Sequence, residues 1–441
     1  MTNPVVTAIV MQATGKAFGM EDKYYPRISD EKLKLLLASS GAVLIVGPKW
    51  CGKTRSAEEI AKSALYLQDP DHTAEYQLIA DTKPSKLLEG ETPRLLDEWQ
   101  TAPVLWNAVR FAVDKRRKRN QFILTGSVIP PQTEDMHTGT GRISRLTMHT
   151  MSLFESKEST GEVSLNDLFN GIDSIDGASS LSIEKLAFIL TRGGWPEAVC
   201  EDDERLALQM VYNYLDAVAA QDISRIDGVE RSPGRVHALL RSISRNISTQ
   251  ANTATLVNDL VNNDEGLSEK TVNEYLAALK KLYVIEDLPA WSPHLRSKRA
   301  IRTTAKRHFA DPSIAAAALR ADAKRLMNDL KTYGFLFESF CIRDLRIYAE
   351  SIDGCVYHYR DQMGNEVDAI IQLRDERWAA VEIKMGAGEI QKAADNLVKF
   401  SNLIDTLKTP PPSFLMVLTA TEYAFQMKNG VWVVPIGCLK N

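Results

Sequence analysis

The chain has 441 residues, 44% of them hydrophobic and 25% charged, and its formal net charge at pH 7 is -4. This composition is typical of a globular protein with two or three domains, and it excludes a disordered or fibrous chain and an overall electrostatic attraction to nucleic acid. No stretch approaches the roughly 20 apolar residues of a membrane-spanning helix, and the first residues lack the basic start of a secretory signal, so we predict a cytoplasmic protein that does not contact a membrane.

The first predicted element is a buried strand that runs into a glycine-rich loop and then a helix. Residues 42–46 are apolar, residues 47–54 fit the pattern GxxxxGK[ST], and a helix is predicted from there through Ala64. In this pattern glycines let backbone N–H groups point at phosphate oxygens, the lysine reaches the β- and γ-phosphates, and the hydroxyl suits Mg²⁺. The full spacing and both flanking elements disfavour a chance turn. The sequence therefore predicts a site for ATP and Mg²⁺ formed by Gly47, Pro48, Lys49, Trp50, Cys51, Gly52, Lys53, Thr54 and Arg55.

Two adjacent acids end the next predicted strand, in PRLLDEWQ at 93–100. A P-loop enzyme needs one carboxylate for the metal and another group to polarise the attacking water. We therefore predict that Asp97 and Thr54 serve Mg²⁺, that Glu98 acts on the water, and that Lys53 supplies positive charge. A helix cap or a solvated turn is the alternative for the two acids, and the P-loop upstream disfavours it.

A further strand, FILTGS at 122–127, follows a predicted helix. In ATPases with an extra strand between the P-loop strand and the Asp-Glu strand, a small polar residue at the end of that strand senses the γ-phosphate. Thr125 and Ser127 are the candidates for this role, and an ordinary turn residue is the alternative for both.

The polar, glycine-rich segment 130–146 is predicted to be a loop that faces a neighbouring subunit. Arg142 or Arg145 would then act as an arginine finger in trans, and a surface ion pair is the alternative. This hypothesis requires a homo-oligomer, with a hexamer as the candidate form.

Together these motifs resemble the bacterial and archaeal AAA ATPases that carry an uncharacterised C-terminal domain, and the resemblance covers nearly the whole chain. It implies an AAA-type nucleotide domain, a small helical or winged-helix segment and a nuclease-like α/β end. By the same analogy Arg192 would lie near the nucleotide as a second sensor, or else cap a Gly-Gly turn. The matching segments are YYPRISD at 24–30, GPKWCGKT at 47–54, PRLLDEWQ at 93–100, FILTGS at 122–127, GTGRISRL at 139–146, MSLFES at 151–156, RGGWPEA at 192–198, DPSIAAAAL at 311–319 and GNEVDAIIQ to AVEIK at 364–384.

The middle of the chain is predicted to be helical. Residues 157–180 are rich in Ser, Gly and Asp and predict an exposed connection, after which apolar residues recur at three-and-four spacing. Ser268 is a candidate helix cap, and the helix and strand that follow it are the order found in a winged helix. The exposed face of this helix would contact DNA or another protein through Lys270, Asn273, Lys280 and Lys281.

Two basic segments are the local candidates for nucleic-acid binding. The first, KRRKR at 115–119, ends a predicted helix, where the helix dipole also favours cations on a solvated end. The second, at 294–308, is the better candidate for nucleic-acid binding, with a plain basic linker as the alternative. Its cations are Arg296, Lys298, Arg299, Arg302, Lys306 and Arg307.

From Tyr333 the predicted order is helix, three strands, helix and two strands, which resembles the PD-(D/E)xK nuclease superfamily. The acids and the lysine of that superfamily are matched by Glu338 on the first helix, Asp368 on the second strand, and Glu382 with Lys384 on the third. Residues two apart on a strand point to one face, so three carboxylates could hold a second Mg²⁺ while Lys384 positions or deprotonates water. A domain of this shape that binds DNA without cutting it is the alternative.

The predicted fold class is α/β, in three parts. They are a P-loop AAA-type nucleotide-binding domain at 1–160, a helical lid and winged-helix-like segment at 181–292, and a small restriction-endonuclease-like domain at 309–441. The predicted function is ATP hydrolysis by an oligomeric motor or switch that acts on DNA. A regulatory nucleotide switch that binds a protein partner and an ATP-gated, Mg²⁺-dependent nuclease stay open as alternatives.

Overall fold

The computed structural model describes residues 24–126, 138–261, 268–293, 304–405 and 408–441. Ser127 lies outside the described residues, and so do Arg296, Lys298, Arg299 and Arg302 of the second basic segment.

Five strands form a sheet in the N-terminal part of the chain: β1 (Ala42–Val46), β2 (Ser63–Tyr66), β3 (Arg94–Asp97), β4 (Phe122–Thr125) and β5 (Ile143–Thr147). Their order is β2-β3-β4-β1-β5, and every neighbouring pair is parallel. The strand β4 lies between the P-loop strand and the Asp-Glu strand, which confirms the predicted extra strand. Because the strands are parallel, the loops at their carboxyl ends meet at one edge.

Helices cover both faces of this sheet. Neighbouring residues of β1 face opposite sides, as the two-residue period of a strand requires. Val43 is buried with Leu37 on one face, and Leu44 is buried with Leu105 on the other. The helices of this part are α1 (Ile28–Ser39), α2 (Lys53–Glu58), α3 (Thr73–Thr82) and α4 (Val104–Arg116).

The helix predicted from the P-loop through Ala64 is shorter in the structure. It ends at Glu58, and Ala64 belongs to β2, where it pairs with Leu95 of β3. The prediction is wrong at this end because pairing with a buried neighbouring strand outweighs the local helix propensity of the segment.

The stretch 157–180, predicted as an exposed connection, is folded against the C-terminal part. It contains β6 (Val163–Ser164), α5 (Leu165–Asn170) and β7 (Gly177–Ala178), and β6 pairs in parallel with the last strand, β16 (Leu439–Lys440). The prediction is wrong here because Ser, Gly and Asp mark only the turns. The apolar residues between those turns are buried, among them Val163, Leu165, Leu168 and Phe169.

The middle of the chain is helical, as predicted. Ser268 caps the last of these helices, since its hydroxyl accepts a hydrogen bond from the backbone N–H of Thr271 at 3.2 Å. The strand β8 (Ile285–Leu288) follows and pairs antiparallel with β9 (Lys306–Phe309). The helices are α6 (Ile183–Arg192), α7 (Pro196–Cys200), α8 (Glu204–Ala217), a π-helical turn (Val218–Asp222), α9 (Ile223–Arg225), α10 (Pro233–Arg245), α11 (Thr253–Val261) and α12 (Glu269–Lys281).

A mixed sheet forms the C-terminal part. Two short helices come first, and from the helix that contains Tyr333 onward the elements of this part follow the predicted order of helix, three strands, helix and strands, with β14 as one strand more than predicted. They are α13 (Pro312–Ala318), α14 (Ala323–Asn328), α15 (Leu330–Ser351), β10 (Gly354–Arg360), β11 (Glu366–Leu373), β12 (Trp378–Lys384), α16 (Ile390–Leu403), β13 (Phe414–Thr419), β14 (Tyr423–Gln426) and β15 (Trp432–Pro435). The strand order is β10-β11-β12-β13-β15-β14-β7.

The helical middle and the C-terminal sheet share one core. Buried apolar side chains form a continuous group that reaches from Leu153 to Leu439 and includes Tyr333 and Phe337 of the long helix α15. This helix therefore packs on the sheet with one side and on the helical residues with another. Within the ranges that the structure describes, no helix is both long and apolar enough to cross a membrane.

Candidate nucleotide site and C-terminal acidic cluster

The loop after β1 has a backbone that requires glycine. Gly47 has φ +150°, and a Cβ there would lie 2.1 Å from the backbone oxygen of Met148. Gly52, just before α2, has φ +98°, in the left-handed region. The two glycines of the predicted motif are therefore explained by the shape of the loop.

Lys53 lies inside this loop. Its side chain is buried, and its Nζ donates to the backbone oxygens of Gly47 at 3.1 Å and Pro48 at 2.7 Å. A buried ammonium group needs such partners. Both acceptors are neutral carbonyls, so a phosphate would be a stronger partner for the same charge.

Two predicted site residues donate to one carboxylate oxygen of a third, Asp97, at the carboxyl edge of the sheet. The hydroxyl of Thr54 donates to Oδ1 of Asp97 at 2.7 Å, and the hydroxyl of Thr125 donates to the same oxygen at 2.6 Å. The strand order explains this meeting, because β3 and β4 are neighbours and α2 begins above them. Hard cations such as Mg²⁺ prefer oxygen ligands, so Thr54 and Asp97 fit the predicted metal site.

Glu98 follows Asp97 in a left-handed backbone conformation, with φ 52°. Burial, together with the charge of Asp97, raises the pKa of its carboxyl group, and a raised pKa suits a general base. The amide of Gln100 donates to Glu98 Oε2, which orients the carboxylate. A Cβ on Gly126 would lie 2.6 Å from Gln100 Oε1, so this glycine makes room for the amide. The sequence-based prediction missed both Gln100 and Gly126.

The three candidate arginines are placed differently. Arg142 donates to Asp114 Oδ1 at 2.8 Å and is about half exposed. It therefore forms a surface ion pair within this chain, which was the predicted alternative to an arginine finger. Arg145 is exposed on β5. Arg192 is buried and donates to both carboxylate oxygens of Glu158, at 2.9 and 2.8 Å, and to the backbone oxygen of Gly193. Its contacts are those of the structural alternative.

Side chains of the P-loop are held by the helical part of the chain, which the prediction missed. The ring of Trp50 is stacked on Trp195 with centroids 5.9 Å apart and on Tyr214 with centroids 6.4 Å apart. The ammonium group of Lys49 lies 2.6 Å from Asp222 Oδ1. The motif RGGWPEA thus contacts the P-loop through its tryptophan.

A second support for the P-loop comes from the segment YYPRISD. The buried guanidinium of Arg27 donates to the backbone oxygens of Cys51 and His149, each at 2.9 Å, and to Glu155 Oε1 at 3.1 Å. Glu155 belongs to MSLFES, so three of the matching segments meet beneath the loop.

In the C-terminal part, the predicted residues Glu338, Asp368, Glu382 and Lys384 come together as the sequence predicts. Lys384 Nζ lies 2.9 Å from Asp368 Oδ2 and 2.7 Å from Glu382 Oε2. Burial, and then the charge of Asp368, raises the pKa of both Glu338 and Glu382.

Lys306 is the member of this cluster that the prediction misplaced. It was predicted to belong to a basic surface segment, but its side chain is only 3% exposed and its Nζ contacts Glu338, Glu366 and Asp368. The signal was misleading because its sequence neighbours are cations, whereas its partners are distant in the chain. We call the six groups the acid-lysine cluster: Lys306, Glu338, Glu366, Asp368, Glu382 and Lys384.

Of the other predicted basic-surface residues, some contact other parts of the chain and the rest are exposed. In KRRKR, Arg116 donates to the backbone oxygen of Leu88 and Arg119 to that of Ala38. On α12, Lys280 pairs with Asp287, while Lys270, Asn273 and Lys281 are exposed. Arg307 is mostly buried and lies 3.8 Å from Asp287 Oδ1.

Comparison with known families divides the chain into three matched regions. Residues 39–157 match the AAA domain. Residues 183–325 and 333–439 match two different domains of unknown function, DUF8612 and DUF4143. No curated protein matches the chain. The chain therefore contains an AAA-type P-loop domain, and the families of its other two regions have no assigned function.

Several solved structures are distantly similar. The Walker-type ATPase PABY2304 of Pyrococcus abyssi has 15% identity and a TM-score of 0.41, with 67% of this chain and 96% of that chain covered. The Orc1 protein of Aeropyrum pernix in complex with DNA has 12% identity and a TM-score of 0.25, with 68% and 94% covered. McrB AAA+ hexamers with bound McrC from Thermococcus gammatolerans have 11% identity and a TM-score of 0.22, with 66% and 74% covered. At these TM-scores the similarities carry no argument about function.

Proposed function

We propose that the protein binds ATP with Mg²⁺ at its P-loop, hydrolyses it, and uses the nucleotide state to reposition its helical part. The observation that carries the proposal is the convergence of Thr54 and Thr125 on one oxygen of Asp97, beside the buried ammonium group of Lys53. These four side chains come from the loop and from two strand ends of an AAA-type domain.

Each residue has a separate chemical task in this proposal. Lys53 exchanges its bonds to loop carbonyls for bonds to phosphate oxygens. Thr54 and Asp97 hold the metal, which neutralises phosphate charge when bound. Glu98, held by Gln100, aligns the attacking water and accepts its proton. Thr125 is the candidate sensor of the γ-phosphate, because its hydroxyl is already directed to this edge of the sheet.

In this proposal, the conformational change that hydrolysis causes in the P-loop is transmitted to the helices through direct side-chain contacts. Trp50 and Lys49 lie on the loop that would surround the phosphates, and they contact Trp195, Tyr214 and Asp222. A change in loop conformation therefore acts directly on α8 and on the π-helical turn that follows it. This is the basis for proposing a motor or a switch.

DNA is the proposed substrate, and a homo-oligomer, with a hexamer as the candidate, is the proposed active form. Exposed Lys270, Asn273 and Lys281 lie on a helix that is followed by β8, which pairs antiparallel with β9. This arrangement is proposed here as a winged helix. Glu269 and Glu274 on the same helix oppose phosphate binding. In an oligomer, Arg142 or Arg145 would reach the nucleotide of a neighbouring copy, and Arg142 would have to leave Asp114 to do so.

The test is the rate of phosphate release measured with and without single-stranded, duplex and junction DNA. Stimulation by DNA, together with binding that weakens as salt rises, supports action on DNA. ATP hydrolysis without any response to DNA would favour the alternative, a regulatory switch that binds a protein partner. An ATP-gated nuclease is the remaining alternative, and its proposed Mg²⁺ site would lie in the acid-lysine cluster.

A further inference from the structure

We infer that the ammonium group of Lys306 takes the place of the divalent cation that a PD-(D/E)xK-like set would hold. On this inference the acid-lysine cluster is neutralised from within the chain and is not a metal centre. The inference concerns the acid-lysine cluster alone, so it stands or fails independently of ATP hydrolysis at the P-loop.

Lys306 reaches the acids from outside their sheet. It is the first residue of β9, which pairs with β8, whereas Glu338 lies on α15 and both Glu366 and Asp368 lie on β11. Its Nζ lies 2.9 Å from Glu338 Oε1, 3.0 Å from Glu366 Oε1 and 3.8 Å from Asp368 Oδ1. One buried ammonium group therefore contacts three carboxyl groups from two elements.

Lys384 contacts two carboxylate oxygens that Lys306 does not contact. It bridges Asp368 Oδ2 and Glu382 Oε2, while the backbone N–H of Ile383 donates to Asp368 Oδ2 and Asn396 donates to Glu382 Oε1. Together the two lysines contact all three acids predicted to bind Mg²⁺.

This arrangement does not fit a bound divalent ion. Magnesium binds carboxylate oxygens at about 2.1 Å in near-octahedral geometry, but the space between Glu338 and Asp368 contains the Lys306 ammonium group. That group would exclude a second cation by volume and by charge. Among the described residues, no group of three or more His, Cys, Asp or Glu side chains is arranged to hold a metal.

Removal of Lys306 would cost folding free energy, because its carboxylate partners Glu338 and Asp368 are mostly buried with it. Removing one partner from a buried ion pair leaves the other charge without compensation, which is strongly unfavourable. Without Lys306, the carboxyl groups of Glu338, Glu366 and Asp368 would have to take up protons or bind another cation. A divalent ion is then the natural replacement, because oxygen ligands from two elements would already surround the vacated position.

The experiment measures Mn²⁺ binding to the full chain by electron paramagnetic resonance of the free ion. Four proteins are compared: wild type, Lys306→Met, the double variant Lys306→Met/Asp368→Asn, and the exposed-site control Lys324→Met. Any Mn²⁺ held elsewhere, including at the P-loop, is common to all four. We expect Lys306→Met to bind more Mn²⁺ than wild type, and the double variant and the control to match wild type. A folded Lys306→Met that gains no site overturns the inference.

A second measurement needs no change at Lys306 and so covers the case in which Lys306→Met folds poorly. Wild type and Asp368→Asn are compared for bound Mn²⁺ under the same conditions. Equal binding is expected, since Lys306 already excludes the ion. If wild type binds an Mn²⁺ ion that Asp368→Asn has lost, the cluster is a metal site in the natural chain and the inference is wrong.

Discussion

The indole ring of Trp50, in the middle of the P-loop, is stacked on that of Trp195 with ring centroids 5.9 Å apart and an angle of 25° between the planes. This contact joins the nucleotide-binding loop to the helical part of the chain. A change in the shape of the loop must therefore alter the surroundings of both indoles.

The first prediction uses this contact as an optical probe. Adding ATP and Mg²⁺ should change the tryptophan fluorescence of the wild type, and Trp50→Leu should lose most of that change, because the reporting pair is broken. The control is Trp291→Phe, which removes a tryptophan from the far core of the C-terminal sheet and should keep the response. A full response in Trp50→Leu would show that the signal arises elsewhere.

The second prediction concerns Thr125. In Thr125→Ala the hydroxyl that contacts Asp97 Oδ1 is lost, so kcat for ATP hydrolysis should fall by about 10²-fold, the effect of removing one donor in an active site. The Kd for ATP should change much less. Thr125→Ser retains the hydroxyl and should recover most of the rate. Equal rates for the alanine and serine variants would remove Thr125 from the mechanism.

The sequence predicted the residues of this site best where they lie close together in the chain. The pattern from Gly47 to Thr54 is local, so its spacing alone predicted the loop. Asp97 and Thr125 were also found, because each ends an apolar strand and parallel strands place such ends at one edge. Gln100 was missed, since an amide that donates to a neighbouring carboxylate has no distinctive pattern in a sequence.

In the C-terminal part, the sequence predicted the order of the elements but not the contacts between residues that are distant in the chain. The order of its elements was predicted from hydrophobic periodicity, and the spacing of Glu382 and Lys384 placed them on one face of a strand. The position of Lys306 was not predictable, because its basic neighbours in sequence indicate a surface. Likewise, the composition of 157–180 does not show that Val163 pairs with Leu439. Such long-range pairings follow from tertiary packing, which a local pattern does not contain.

The third prediction concerns a buried ion network around Arg343. Its guanidinium donates to Asp311 Oδ2 at 3.0 Å and to Asp344 Oδ1 at 2.7 Å, and all three side chains are buried. Arg343→Met leaves both carboxylates unpaired and should lower the free energy of unfolding by about 3–5 kcal/mol. Urea denaturation monitored by circular dichroism is the measurement. Arg241→Met, an exposed position on α10, is the control and should leave the midpoint almost unchanged; a similar loss in both variants would argue against the network.

The fourth prediction is a pH dependence of stability at His149. This buried imidazole lies 3.5 Å from Glu286 Oε1 and 3.3 Å from Glu350 Oε1. Burial opposes its charge, but these carboxylates outweigh burial and raise the pKa of His149 to about 10. Burial would raise the pKa of Glu286, but the positive charges of His149 and Arg346 outweigh burial and lower this pKa to about 2. The guanidinium of Arg27 donates to the backbone oxygen of His149.

The raised pKa of His149 determines the direction in which stability changes with pH, because protonation and folding are linked. A folded pKa above the unfolded value gives stability that is fully present below about pH 6.5 and is lost as the pH rises towards 10. The advantage of wild type over His149→Gln in free energy of unfolding should therefore be on the order of 3 kcal/mol at pH 6 and shrink by pH 9.5. Urea titrations of both proteins at the two pH values give this difference. An advantage that stays constant or grows with pH would contradict the proposed charge state.

The central claim is that the loop from Gly47 to Thr54 holds the phosphates of ATP, with Lys53 as their cation. Calorimetric titration of ATP and Mg²⁺ into wild type, Lys53→Ala and Glu98→Gln tests it most directly, with phosphate release measured on the same samples. We expect wild type to bind and hydrolyse ATP, Lys53→Ala to lose binding, and Glu98→Gln to bind but not turn over. Wild type that gives no binding heat, or Lys53→Ala that binds as tightly as wild type, would contradict the account.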